Sequence, residues 1–109
     1  MNHQEIVSQT SQLAGVTHSF IVNGQGQVTA SSAPLSDPEM GAVVSSMYSN
    51  IAVQIKRMQR GTLKRLVVET EVGITLLSGL AGGGDIMVIF ADVTNDFNLS
   101  KLMEAVSRY

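Results

Sequence analysis

The sequence predicts an α+β domain, an α/β sandwich in which a five-stranded mixed or antiparallel sheet carries one long central helix on one face and two terminal helices on the other. Three observations carry this. Large apolar residues recur at Met40, Val44, Met47, Ile51, Ile55 and Met58, three or four apart, which traces one face of a helix. Strand-length runs of alternating polarity, separated by short glycine-containing turns, stand on both sides of that helix. The run Ile86–Ala91 is apolar throughout, as in a strand covered on both faces near a sheet centre. The resulting order, α-β-β-α-β-β-β-α, gives a sheet enough helix to cover both of its faces.

The first helix is expected over residues 2–13, with Ile6, Val7 and Leu13 as a weak apolar stripe and Gly15 as its end. Residues 16–22 form the first strand, with Val16, His18, Phe20 and Val22 facing one way and Thr17, Ser19 and Ile21 the other. Asn23-Gly24-Gln25-Gly26 then makes a tight hairpin into Val28-Thr29-Ala30-Ser31. These glycines read as turn residues, because the lysine of a phosphate-binding loop does not accompany them. Residues 31–36 connect to the long helix.

That helix is expected over residues 38–60. Asp37 can cap it, and Pro38 suits the first helical position. Glu39 matches the positive end of its dipole; Lys56, Arg57 and Arg60 match the negative end. Gly61 supplies a left-handed stop. At 1.5 Å per residue the helix would be roughly 35 Å long. Gly41, Ser45, Ser49 and Ala52 place small residues beside the large apolar stripe, while Val43 and Tyr48 widen the nonpolar arc. Two accounts fit: the whole arc is buried against its own sheet, or one arc meets the sheet and another meets a second copy of the chain.

Strands follow at residues 64–70, 74–80 and 86–91, joined by turns near Gly73 and over residues 81–85. A final helix spans residues 98–108, capped by Asp96 or Asn98, with Leu99, Leu102, Met103 and Val106 inward and Phe97 and Tyr109 at its ends.

With 109 residues, one domain over 1–109 is expected. Charged residues are only 15% of the chain against 44% hydrophobic, too little charge to cover a monomer's surface generously, which points to a further buried face. The net charge of -2 and the absence of a basic tract argue against a nucleic-acid partner. Cysteine is absent, so no disulfide, thiolate nucleophile or cysteine-held metal is possible, in keeping with a reducing, cytoplasmic setting. No secretory leader pattern opens the chain, and no apolar run is long enough for membrane insertion.

The catalytic inventory is small. His3 sits at a terminus expected to fray, and His18 falls in phase with Phe20 as a packed residue. Neither belongs to a metal-ligand spacing. Glu69 with Glu71, and Asp92 with Asp96, could be imagined as acid–base pairs, but an edge-strand charge in the first case and turn and cap chemistry in the second explain them better. No glycine-flanked nucleophile elbow appears. The expectation is a protein without catalytic residues, metal or cofactor. Lys56, Arg57, Arg60, Lys64 and Arg65 form a local basic patch, which serves either dipole pairing and solubility or contact with an acidic partner surface.

Taken in order, Gly15-Val16, Phe20-Ile21-Val22 before Asn23-Gly24-Gln25-Gly26, Val28-Thr29-Ala30-Ser31, the long helix, Leu66-Val67-Val68-Glu69, Gly73-Ile74-Thr75-Leu76-Leu77, the apolar fifth strand and Asn98-Leu99 resemble the Roadblock/LC7 family over residues 5–106. The family's fold is profilin-like. The resemblance implies a homodimer in which the long helices pair side by side and the strand after that helix joins its copy. The residues this assigns to the contact are Gly41, Val44, Ser45, Met47, Tyr48, Ile51, Ala52, Ile55, Leu66, Val67 and Val68, with Lys56, Arg57, Arg60, Lys64 and Arg65 as a partner-binding rim. Family members are non-enzymatic platforms, among them dynein light chains, subunits of the lysosomal scaffold for Rag GTPases, and the activating partner of a bacterial Ras-like polarity GTPase. The resemblance therefore implies a scaffold or regulator of a small Ras-like GTPase, in the form of a minimal prokaryotic member. A small-molecule-sensing module and a purely structural dimer in a larger assembly are the alternatives.

Overall fold

A computed structural model describes all 109 residues. The elements are α1 (His3–Thr10), β1 (Val16–Val22), β2 (Val28–Ser31), α2 (Met40–Arg57), β3 (Arg65–Glu69), β4 (Ile74–Gly79), β5 (Ile86–Ala91) and α3 (Leu99–Val106). The strands lie in the order β2-β1-β5-β4-β3, and every neighbouring pair is antiparallel. The apolar β5 is the central strand, as its sequence requires.

Side-chain alternation divides the interior into two layers. On one face, Ile21, Leu76, Met87 and Ile89 pack against Ile6 and Val7 of α1 and Leu102 and Val106 of α3. On the other, Phe20, Val22, Leu77, Ile86 and Val88 pack against Val44 of α2, with Met40, Met47, Tyr48 and Leu66 at the margin. Thr10 and Ser19 are buried without penalty because their hydroxyls donate to the Ile6 carbonyl at 2.7 Å and the Val7 carbonyl at 3.0 Å.

Several elements depart from the sequence reading. Val16 lies with the α1/α3 layer rather than with His18 and Phe20, because the β1–β5 register shifts between Val16 and His18 and this bulge turns Val16 to the opposite face. A second bulge lies between β1 and β2, where Ile21 faces Ala30 but Val22 faces Val28. Helix α1 stops at Thr10, well before Gly15. His3 is not frayed: its Nε2 meets Asp85 Oδ2 at 3.2 Å and its Nδ1 meets Thr29 Oγ1 at 2.9 Å, and the Asn2 side chain caps the helix by accepting from the Glu5 amide.

Helix α2 has 18 residues, about 27 Å at 1.5 Å each, shorter than the sequence suggested. Asp37 acts one turn early: its Oδ1 accepts from the Glu39 amide at 2.9 Å, so residues 38–39 form a tight turn and the helix proper begins at Met40. At the other end Gln59, not Gly61, takes the left-handed position nearest the helix, with φ 59°. The Arg60 amide reaches back to the Ile55 carbonyl and the Gln59 amide to Lys56, a Schellman ending. Gly41 sets the approach of the helix to the sheet. A Cβ there would overlap the Gly26 carbonyl, so only glycine lets α2 settle on the β1–β2 turn.

Candidate functional site

The site is built by α2, the segment after it, and the strand that segment enters. Near its middle, the Tyr48 phenol donates to the Leu63 carbonyl at 3.1 Å, with the Lys64 carbonyl at 3.4 Å. This bond fastens the helix to the approach of β3. Burial pushes the Tyr48 hydroxyl above its ordinary pKa, against smaller lowering effects of the Gly79 backbone and Arg65.

Beside Tyr48 a groove of about 740 Å³ opens between α2 and the end of the sheet. Ser45, Ser49, Ala52 and Lys56 border it from the helix, Lys64 and Arg65 from the start of β3, and Gly79 from β4. The small residues on this side of α2 thus leave space. The sequence reading did not foresee the groove, but a glycine closing an apolar strand, as Gly79 does, is a signal of close approach.

The structure places the residues expected at a contact with a second copy in two groups. Gly41 and Val44 are buried in the protomer's own packing. Ser45, Met47, Tyr48, Ile51, Ala52 and Ile55 are half-buried, as are Leu66, Val67 and Val68 on the edge strand β3. Leu66 packs toward α2 and Val67 toward the α1/α3 layer, as alternation requires. Outside them, Val43, Val53 and Met58 are each more than half exposed, at 52%, 56% and 65%.

Of the basic residues, Lys56, Lys64 and Arg65 border the groove, while Arg57 closes α2 and Arg60 lies just beyond it. Lys56, Arg57, Arg60 and Lys64 are exposed and Arg65 is half-buried. None of them meets a carboxylate; the side chain that does so in the protomer is His3, whose Nε2 lies 3.2 Å from Asp85 Oδ2. His18 is packed, with its Nε2 at 3.0 Å from both Ser31 Oγ and the Ala33 carbonyl and its ring edge-on to Phe20 and Phe90. No three His, Asp or Glu side chains converge as a metal site would need. No helix is long and apolar enough to cross a membrane.

Comparison with known proteins agrees with this architecture. The family model described as the Roadblock/LC7 domain matches residues 3–90. Among solved structures, a Roadblock/LC7 domain from Streptomyces avermitilis superposes with a TM-score of 0.82 at 19% identity, covering 99% of this chain and 91% of that one. The gliding protein MglB from Thermus thermophilus gives 0.76 at 18% identity, covering 95% and 79%. MglB from Myxococcus xanthus gives 0.78 at 13% identity, covering 96% and 85%. At these identities the likeness is one of fold. A search of curated proteins found no match.

Proposed function

The chain belongs to the Roadblock/LC7 family, and from that premise we propose that it works as a homodimeric, non-enzymatic scaffold or regulator of a small Ras-like GTPase. The observation that carries this reading is the state of α2. Of its 18 residues only Gly41 and Val44 are buried in the protomer, and Val43 and Val53 stand more than half exposed. Apolar helix surface left over in a chain with so few charges suits a second copy. Met47, Ile51 and Ile55 would contribute from the helix, and Leu66, Val67 and Val68 from β3. The unpaired cations Lys56, Arg57, Arg60, Lys64 and Arg65 form a rim that suits an acidic partner surface. The likeness to MglB structures is one of fold and is compatible with the GTPase-partner reading.

The test has two stages. The solution mass should be twice the 11.6 kDa protomer at micromolar concentration; a protomer mass would overturn the dimer. Tagged protein is then used to capture partners from native lysate with excess GDP or a non-hydrolysable GTP analogue. Enrichment of a small GTPase that depends on the nucleotide supports the proposal, and charge reversal at Arg57 and Arg60 should weaken it. Reproducible capture of other proteins with no GTPase would favour the structural-dimer reading instead. The ligand-sensing alternative calls for an enclosed apolar cavity, and the groove beside α2 is open and bordered by cations.

A further inference from the structure

We infer that two copies of β3 pair antiparallel about Val67, so that Arg65 and Glu69 of each copy face Glu69 and Arg65 of the other, and that this charge pattern makes the pairing selective for a like strand. The inference rests on the dimer proposed above and adds to it a register and a recognition code.

The backbone sets the possibilities. β3 is an edge strand, regular over its five residues, and its pairing with β4 runs without a shift from Arg65↔Ser78 to Glu69↔Ile74. In the same register the Gly79 amide donates to the Lys64 carbonyl and the Thr70 amide to the Gly73 carbonyl. Antiparallel bonding alternates, so the even-numbered residues of this strand turn their backbone toward β4. The N–H and C=O groups of Arg65, Val67 and Glu69 therefore point away from the sheet, toward whatever joins the edge.

A two-fold pairing must set outward residues against outward residues. With Val67 opposite itself, Arg65 falls opposite Glu69, and every outward group within the strand is satisfied. Arg65, Val67 and Glu69 share one face by alternation, and directly opposed side chains start about 5.5 Å apart at Cβ. Each charge then meets its opposite, whereas within the protomer neither has an ion-pair partner. On the other face Leu66 falls opposite Val68, apolar against apolar. The neighbouring registers do worse. Centring on Arg65 or Glu69 opposes like charges. Centring on Leu66 sets Arg65 against Val67. Centring on Val68 sets Arg65 against Glu71, which lies in the turn between β3 and β4 and is not extended.

The pattern makes a specific demand on variants. R65E carries two acids and repels itself; E69R carries two bases and repels itself; together they restore both attractive pairs. The full-length variants would be mass-tagged, mixed, and their dimers counted by native mass spectrometry alongside the unmodified protein. The expected result is a heterodimer favoured over either variant homodimer by about tenfold, a preference that shrinks in molar salt. Statistical mixing, with the unmodified protein still dimeric, would overturn the register and leave the dimer standing. A preference for R65E with E71R instead would assign the shifted register and overturn this one. A monomeric unmodified protein would remove both the register and the dimer.

Discussion

The phenol oxygen of Tyr48 occupies the space that a side chain on Gly79 would need: a Cβ there would lie 2.9 Å from it. Helix and sheet are in contact at this point because β4 carries no side chain at Gly79. Gly79→Ala should destabilise the protein by about 1 kcal/mol by displacing Tyr48 from its carbonyl partners. In a Tyr48→Phe background the obstructing oxygen is gone, and the same change should be neutral or slightly stabilising. A double-mutant cycle by urea denaturation measures the coupling, which should be close to the cost of Gly79→Ala alone.

Tyr48 also predicts a pH dependence. Burial raises its pKa in the folded state, so the folded protein holds this proton more tightly than the unfolded chain does. The stability gained is complete below about pH 10, the value for an unfolded tyrosine, and is lost as pH rises from there through the folded value. The stability advantage of the natural protein over Tyr48→Phe should therefore shrink in the alkaline range. Thermal denaturation of the two proteins between pH 8 and pH 11, about the range of tyrosine ionisation, checks this.

Ser78 is buried at 1% exposure, and its hydroxyl finds no partner. It points into the same apolar layer as Leu76. Removing an unsatisfied buried hydroxyl relieves its desolvation, so Ser78→Ala should stabilise the fold by about 1 kcal/mol. The shift in the urea midpoint at unchanged slope is the readout.

Gln59 holds a backbone conformation that favours glycine. Gln59→Gly should stabilise the end of α2 by about 0.5–1 kcal/mol, since it relieves left-handed strain at a position exposed to solvent. Slower amide exchange at residues 58–60 should accompany the rise in melting temperature.

The strands were more legible than the helix ends. β1 lies between Gly15 and Asn23, β2 follows the turn at Gly26 and β5 the turn at residues 81–85, and their observed bounds are those expected. The start of α2 was misplaced because Asp37 serves a turn before the helix, a distinction of local geometry rather than composition. Its end was misplaced because Gln59 adopts a shape that its chemistry does not advertise. The face of Val16 was hidden for a related reason: a bulge adds one residue to a strand without altering the alternation around it. His3 was misjudged because its partners, Thr29 and Asp85, lie far along the chain. The basic residues near the end of α2 were legible, but the groove that Lys56, Lys64 and Arg65 border was not, since it depends on how far α2 stands off the sheet.

The bulge between β1 and β2 has a consequence for stoichiometry. It falls at the opposite margin of the sheet from β3, where the His3 ring is also hydrogen-bonded to the Thr29 hydroxyl. A sheet with two serviceable margins can add copies end upon end without limit. A bulged, strongly twisted strand at one margin disfavours further addition there, so the proposed joining through the regular β3 side would stop at two copies. In the dimer proposed above, the extra residue in that short strand would act as a chain terminator and keep the particle finite.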